Sequence, residues 1–203
     1  MNKMITFALT TALAFAVSGG SLTAQVMDRE SHPGMDMFSI NVSGGGLFPI
    51  SSLGDGNEFD DAGSVGGSLT YWAHENAGIR ASFLWASTDF LGADDNPLIG
   101  EDPDIYHYSG DLLLRLPLPG TEQVSWFPYI VGGLGGKTYD FQTLSTDTDF
   151  TGNFGAGLEL RFGEMGRWGI NTEVRDFVSN FDRHGFDRTQ NDVVWTGGLT
   201  LNF

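Results

Sequence analysis

The sequence predicts an all-β fold, an eight-stranded antiparallel up-and-down β-barrel, and three observations carry that prediction. Glycine supplies 29 of 203 residues, roughly twice its usual ~7% share, which does not suit helices, where each glycine costs about 1 kcal/mol relative to alanine. From Phe38 onward apolar and polar residues alternate with period two in eight successive stretches, the mark of strands with two different faces. The connections between these stretches alternate between long and short.

In chain order, the first stretch runs from Phe38 to Phe48, with Phe38, Ile40, Val42, Gly44, Gly46 and Phe48 on one face and Ser39, Asn41 and Ser43 on the other. The second is Ser64 to Ala73. The third, Gly78 to Ser87, sets Ile79, Ala81, Phe83 and Trp85 against Arg80, Ser82 and Leu84. In the fourth, Ile105 to Leu116, Tyr106, Tyr108, Leu112, Leu114 and Leu116 oppose His107, Ser109, Asp111 and Arg115. The fifth, Trp126 to Tyr139, has glycine on both faces, so its pattern leaves inside and outside open. The sixth, Phe150 to Phe162, places Phe150, Phe154, Ala156, Leu158, Leu160 and Phe162 against Asn153, Glu159 and Arg161. The seventh, Trp168 to Phe177, sets Ile170, Thr172 and Val174 against Asn171, Glu173 and Arg175, and the eighth is Val193 to Phe203. Pro49 to Gly63, Asp89 to Asp104, Asp140 to Asp149 and Val178 to Asp192 read as long loops; His74 to Ala77, Pro117 to Ser125 and Gly163 to Arg167 read as shorter ones.

Composition removes several functions. The formal net charge is -16, and such an acidic excess argues against nucleic acid as a partner, because phosphate recognition needs clustered Lys and Arg. No cysteine is present, which removes disulfide frameworks, thiolate metal sites and thiol chemistry. With 40% hydrophobic and 13% aromatic residues, the chain is too apolar for a disordered one.

Residues 1–24 read as a signal peptide: Lys3 begins it, Ile5 to Val17 is apolar, and Ser21-Leu22-Thr23-Ala24 ends on a small residue. Cleavage is expected after Ala24, and the apolar run falls short of the ~20 residues of a transmembrane helix. Residues 25–37 form a polar segment with a Pro-Gly pair, and the barrel occupies 38–203.

Period two does not say which face is wet, since a soluble lipocalin-type barrel alternates in the same way. Export without cysteine, the long and short ends, and aromatics near strand ends (Tyr71, Trp72, Trp85, Trp126, Tyr129, Tyr139, Trp168 and Trp195) favour a membrane barrel with interfacial girdles. The last strand also ends the chain, on Trp195, Gly197, Leu199, Leu201 and Phe203. The acid gathers in the long loops: Asp55, Glu58, Asp60, Asp61, Asp94, Asp95, Glu101, Asp102, Asp104, Asp147, Asp149, Asp182 and Asp187.

At these residues the chain resembles the small eight-stranded outer-membrane barrels, the group containing OmpA-like transmembrane domains, OmpX and OmpW-like proteins. The segments that carry the resemblance are Pro128 to Gly135, Asn153 to Phe162 and Leu199 to Phe203. It implies integral insertion in the bacterial outer membrane after export, with lipid and lipopolysaccharide as surroundings and a monomeric state. It also implies that Leu199, Leu201 and Phe203 are read by the outer-membrane assembly machinery. No peptidoglycan-binding segment follows Phe203, so the cell-wall tethering of full-length OmpA is not expected.

With the polar set inward, the lumen collects Arg80, Asp111, Arg115, Glu159, Arg161, Glu173 and Arg175. An eight-stranded barrel is only wide enough for side chains to fill, and a buried charge must be paired. The expectation is a charge network that plugs the lumen, with Glu159 and Glu173 contacting Arg161, Arg175 or Arg115; a gated conduit is the sharper alternative.

Other chemistry is weaker. Gly132-Gly133-Leu134-Gly135-Gly136-Lys137-Thr138 approaches a phosphate-binding loop, but the Walker spacing puts Val131 where glycine is needed; a glycine-rich strand is the plain reading. His107 and Ser109 share a strand face, as in the His-x-Ser of lipid A deacylases of the PagL type, and Glu122 is available as a third member. In those enzymes the triad faces lipid, whereas here the same face carries Asp111 and Arg115, so no catalytic residue is assigned and the chain is not expected to be an enzyme. The acidic loops offer oxygens to calcium or magnesium, but Phe59 breaks the EF-hand spacing of Asp55-Gly56-Asn57-Glu58-Phe59. His32, His74 and His184 stand without metal-ligand partners. No cofactor or metal is expected. The role expected is structural or surface-interactive, with OmpW-like, porin-like passive transport of small molecules as the alternative and lipid A modification third.

Overall fold

The computed structural model describes residues 37–50, 58–88, 90–91, 103–116, 118, 124–140, 147–163, 166–183 and 186–203. The expected signal peptide and, of the loop acids, Asp55, Asp94, Asp95, Glu101 and Asp102, together with Glu122, His32 and His184, lie outside these residues. All regular elements among the described residues are strands: β1 (Phe38–Pro49), β2 (Glu58–Phe59), β3 (Ala62–His74), β4 (Ala77–Ser87), β5 (Phe90–Leu91), β6 (Asp104–Arg115), β7 (Val124–Asp140), β8 (Asp147–Phe162), β9 (Trp168–Arg183) and β10 (Phe186–Asn202). Eight of them form a closed barrel in the order β1-β10-β9-β8-β7-β6-β4-β3, and β2 pairs β5 in a short separate ribbon. Every barrel pairing is antiparallel, as the sequence predicts.

The register fixes the stagger. Starting at Phe48 and crossing one strand at a time, the partners are Val193, Asp176, Phe154, Gly132, Leu112, Ile79, Tyr71 and then Phe38. The path returns to β1 ten residues from its start, 48 − 38 = 10, a shear that requires strands tilted by roughly 40°. The seam closes through reciprocal bonds, the Phe38 amide to the Phe203 carbonyl and the Phe203 amide to the Phe38 carbonyl, both 2.9 Å. The Phe38 ring lies against Tyr71 and Phe203, with centroids 5.3 and 6.1 Å away. The end of the barrel that holds this seam is called here the terminal end, and the opposite one the loop end.

The apolar face is the outer face. Val42, Leu112, Leu134, Phe150 and Leu199 are each more than 60% exposed, whereas Arg80, Asp111, Glu159, Glu173 and Arg175 are buried. A soluble barrel has the reverse distribution, because it must bury its apolar face to gain stability. The fifth stretch is now assigned: Tyr129, Val131, Lys137 and Tyr139 of β7 are buried in the lumen, while Trp126, Ile130 and Leu134 face out.

Three expectations need correction. Val178 to Asp192 is not a long loop, since β9 continues to Arg183 and β10 starts at Phe186. Its mixed polarity conceals a hairpin whose ladder beyond Thr151↔Ser179 and Pro49↔Asp192 is with itself, apart from the Ile50 amide donating to the Asn191 carbonyl at 3.0 Å. Trp72, Tyr129 and Tyr139 do not belong to a lipid-facing girdle: they are buried inside, whereas Trp85, Trp126, Trp168 and Trp195 are exposed outside. Asp149 is not a solvated loop acid but a buried residue near the loop end.

Glycine is needed where strands or rings approach closely. A Cβ on Gly135 would collide with the Tyr108 carbonyl oxygen, and one on Gly136 would lie 2.6 Å from the Tyr108 ring. Replacing Gly135 by valine should therefore lower the temperature at which the barrel converts from its compact, fast-migrating form to the unfolded form in detergent electrophoresis. An unchanged conversion temperature would show that β6 and β7 do not depend on this contact.

Candidate functional site

The lumen is filled in layers, each built from inward positions of several strands. At the terminal end the Arg115 guanidinium lies 3.8 Å from the centroid of the Trp72 ring and 4.9 Å from that of Phe127, with Arg161 5.0 Å from Phe127 on the same layer. Such cation–π contacts gain strength when water is excluded. Arg161 Nε donates to Glu159 Oε1 at 2.8 Å, two residues along the same face of β8. Trp72 Nε1 donates to Ser39 Oγ at 2.9 Å, Ser39 Oγ to Asn202 Oδ1 at 2.6 Å, and Asn202 Nδ2 to Glu159 Oε1 at 3.3 Å.

The middle layer is a four-membered ion network. Arg80, on β4, reaches across the lumen to β9 and makes a fork with Glu173, at 2.8 and 3.2 Å. Its Nε lies 3.4 Å from Asp111 Oδ2. Arg175 bonds Glu173 on its own strand and Asp111 at 3.1 Å. Glu173 also accepts from the Tyr129 hydroxyl at 2.7 Å, and Asp111 from Ser82 at 2.7 Å and Asn153 at 3.0 Å. Two cations face two anions, and each carboxylate holds several donors, the condition under which a buried ion pair recovers its desolvation cost.

Toward the loop end a third layer pairs Lys137 of β7 with Asp192 and Gln190 of β10, again across the lumen. The Tyr139 hydroxyl donates to Gln190. His107 packs on Phe177, centroids 4.5 Å apart, with its Nε2 3.7 Å from Asp192 Oδ2. An apolar cluster of Leu47, Ala62, Leu84, Ala86, Ile105, Tyr139, Phe177 and Val194 fills the rest.

All seven charged residues singled out in the sequence are buried in the lumen, but the partners are set by the stagger. The chief cross-lumen partner of Glu173 is Arg80, and Glu159 pairs Arg161. Arg115 is held by Trp72, Phe127 and the Glu75 carbonyl oxygen. Sequence reasoning missed Lys137, Asp192, Tyr129 and Trp72. Lys137 was hidden in a run of glycines, and Asp192 stood where a loop was expected. Alternation from Tyr129 through Val131 to Tyr139 was the available signal. Leu199 and Phe203 lie exposed on the outer face, with Leu201 beside them on the outward side of β10.

His107 and Ser109 also point inward; Ser109 Oγ accepts from Arg175 at 3.4 Å, and both residues are buried. Neither reaches the outer face, where a lipid would meet them. His74 accepts a bond from the Asn76 amide at 3.4 Å in the turn after β3. Gly132 to Thr138 lies within β7. Among the described residues no group of three or more His, Cys, Asp or Glu is placed to hold a metal ion.

Removing Glu173 leaves Arg80 and Arg175 without their main counter-charge. Glu173→Ala is expected to destabilise the folded barrel by about 3–5 kcal/mol, the usual cost of breaking a buried pair. Urea titration in lipid vesicles, read by tryptophan fluorescence, measures it. A loss below about 1 kcal/mol, typical of exposed pairs, would rule out a structural network.

The sequence model of a family described as outer membrane protein beta-barrel domain matches residues 12–203. No curated protein matches the chain in sequence. Among solved structures, Neisserial surface protein A is similar with a TM-score of 0.58 at 12% identity, over 82% of this chain and 97% of that one. Outer membrane protein AlkL, determined in lipid bilayers, gives 0.52 at 15% identity over 86% and 96%. OprG from Pseudomonas aeruginosa gives 0.50 at 17% identity over 81% and 95%. At these identities the likeness concerns the fold.

Proposed function

From the premise that the chain belongs to the outer membrane protein beta-barrel family, we propose that it is an integral barrel of the bacterial outer membrane, exported by its signal peptide, whose lumen is closed by its own charged side chains. The observation that carries this reading is the inversion of the barrel: apolar residues outside, and the Arg80–Glu173–Arg175–Asp111 network inside. The terminal end faces the periplasm and the acidic loops face outward, so the role is structural or surface-interactive. Lipid and lipopolysaccharide are its immediate partners, it works as a monomer, and Leu199, Leu201 and Phe203 serve as its assembly signal.

The inward setting of His107 and Ser109 supports a non-enzymatic role, because a lipid-modifying site must meet its substrate at the outer wall. OmpW-like transport of small apolar molecules calls for an apolar opening toward lipid, and the strand pairing around the barrel leaves no unpaired seam among the described residues.

Three outcomes test the proposal. The full chain should fractionate with outer membranes and migrate faster unheated than boiled in detergent electrophoresis; a heat-insensitive protein in the soluble periplasm would refute it. Deleting Phe203 should reduce the amount assembled in the membrane severalfold while leaving export intact, and normal assembly would remove the role given to the terminal strand. Lipid A mass spectra should be the same with wild type and Ser109→Ala, and a difference would revive the enzymatic reading.

A further inference from the structure

Asp176 belongs neither to the lumen network nor to the rim of the loops. On β9 it stands in register with Val193 of β10 and Phe154 of β8. The neighbouring positions Glu173, Arg175 and Phe177 are buried inside, so by parity Asp176 lies on the outer face. Trp168, exposed at the terminal end, begins the outward series of this strand, and Asp176 follows 176 − 168 = 8 residues later. At ~3.3 Å per residue on strands tilted roughly 40°, that places it about 20 Å further along the axis. The apolar band of a membrane barrel is about 25 Å tall, so Asp176 sits near its outer limit, where lipid head groups meet their tails.

Nothing among the described residues neutralises this acid. Asp176 makes no hydrogen bond or ion pair there, and its Oδ1 is closed off against the wall without a donor. Arg80, Arg115, Lys137, Arg161 and Arg175 are all buried in the lumen. The charge that acts on Asp176 through the wall is another carboxylate, Asp192, which is already bound to Lys137. Beside the acid the outer surface has a notch. Gly152 of β8 pairs with Val178, the next outward position of β9, and a Cβ on it would meet nothing within 4 Å. Its outward neighbours on β8, Phe150 and Phe154, stand exposed, as does Leu134, its partner on β7. The open floor at Gly152 is thus bordered by two rings and a leucine.

We infer that Asp176 and the Gly152 notch form a binding site for one lipid of the outward leaflet whose head group carries a primary ammonium. The ammonium donates to the Asp176 carboxylate, and an acyl chain lies over Gly152 between Phe150 and Phe154. The inference rests on the membrane barrel proposed above. A carboxylate held against an apolar wall is costly unless a cation meets it, and a charge-assisted N–H···O bond is among the strongest that can form there. Other occupants fail on the same residues. A divalent ion needs several oxygen ligands, and no group of three or more His, Cys, Asp or Glu placed to hold one exists among the described residues. A second copy of the chain would have to bring a cation, and the Lys and Arg described within the strands all face the lumen. A head group that ends in phosphate alone would set one anion against another.

The test refolds the full chain into vesicles of phosphatidylethanolamine, phosphatidylcholine and phosphatidylglycerol in equal parts, extracts it in mild detergent, and reads the lipid it retains by native mass spectrometry. Wild type should hold phosphatidylethanolamine severalfold over phosphatidylcholine, whose quaternary ammonium has no N–H to donate, and over phosphatidylglycerol, which has no cation. Asp176→Asn keeps the shape, removes the charge and should abolish that preference. Gly152→Leu fills the notch with the charge intact and should lower the retained phosphatidylethanolamine severalfold. Asp140→Asn, an exposed acid of the rim, should leave the preference as it is. Equal retention of the three lipids by wild type, or a preference that survives Asp176→Asn, would overturn the site. A preference lost equally in Asp140→Asn would overturn it as well, by assigning the effect to overall charge. If Asp176→Asn does not fold, Gly152→Leu decides: reduced retention supports the site, and unchanged retention overturns it. Displacement of the lipid by an equal concentration of a soluble single-chain alkylamine would overturn the lipid as occupant in favour of a free amphiphile. A wild-type chain with no heat-modifiable band in these vesicles would instead refute the membrane barrel itself, and the site with it.

Discussion

In hydrocarbon an unpaired backbone N–H or C=O has no water to turn to, and the cost of leaving it so is severe enough that only helices and closed barrels cross membranes. The ladder that runs from β1 through β10 and back by way of β3 answers this constraint, and the rest of the molecule follows from it. Closure forces a shear of ten residues, 48 − 38 = 10, around eight strands. That shear sets the width of the barrel, and the width leaves room for side chains but not for a broad channel.

Filling that space with polar groups creates a second requirement, because a buried charge without a partner destabilises the fold. The three layers meet it differently. The terminal layer spreads two guanidinium groups over aromatic faces, with Glu159 bound to one of them. The middle layer closes a neutral square of two arginines and two acids. The outermost joins Lys137 to Asp192 beside an apolar wedge. Bonds from β4 to β9 and from β7 to β10 cross the lumen, so they tie together strands that share no ladder. They hold the cross-section of the barrel as the backbone pairing holds its wall.

How much of this was legible depends on how regular the local pattern is. β8 was readable nearly to its ends because Phe154, Ala156, Leu158, Leu160 and Phe162 keep an unbroken apolar face while Asn153, Glu159 and Arg161 mark the other. β7 was not, because a glycine carries no polarity and Lys137 stands among glycines, so its burial follows only from the parity set by Tyr129 and Val131. The tips of β9 and β10 escaped notice for a related reason. Beyond the lipid, both faces of a hairpin can be polar, and period two disappears although the strands continue. Trp72 and Tyr139 show the limit of reading aromatics as interfacial: position along the strand was right, but the side of the wall was decided by parity.

What the sequence determined by itself was the class of the fold, the number of barrel strands and the charged set that faces inward, since each is written in a period of two that any short window displays. The tertiary structure decided which of those charges meet. Arg80 and Glu173 are separated by 93 residues and come together because the stagger brings their levels on β4 and β9 into line across the lumen. Stagger is a property of the closed ring as a whole, produced by accumulating one register at every seam. No local stretch of the chain contains it, and so neither the ion network nor the Lys137–Asp192 pair above it could be located before the ring was closed.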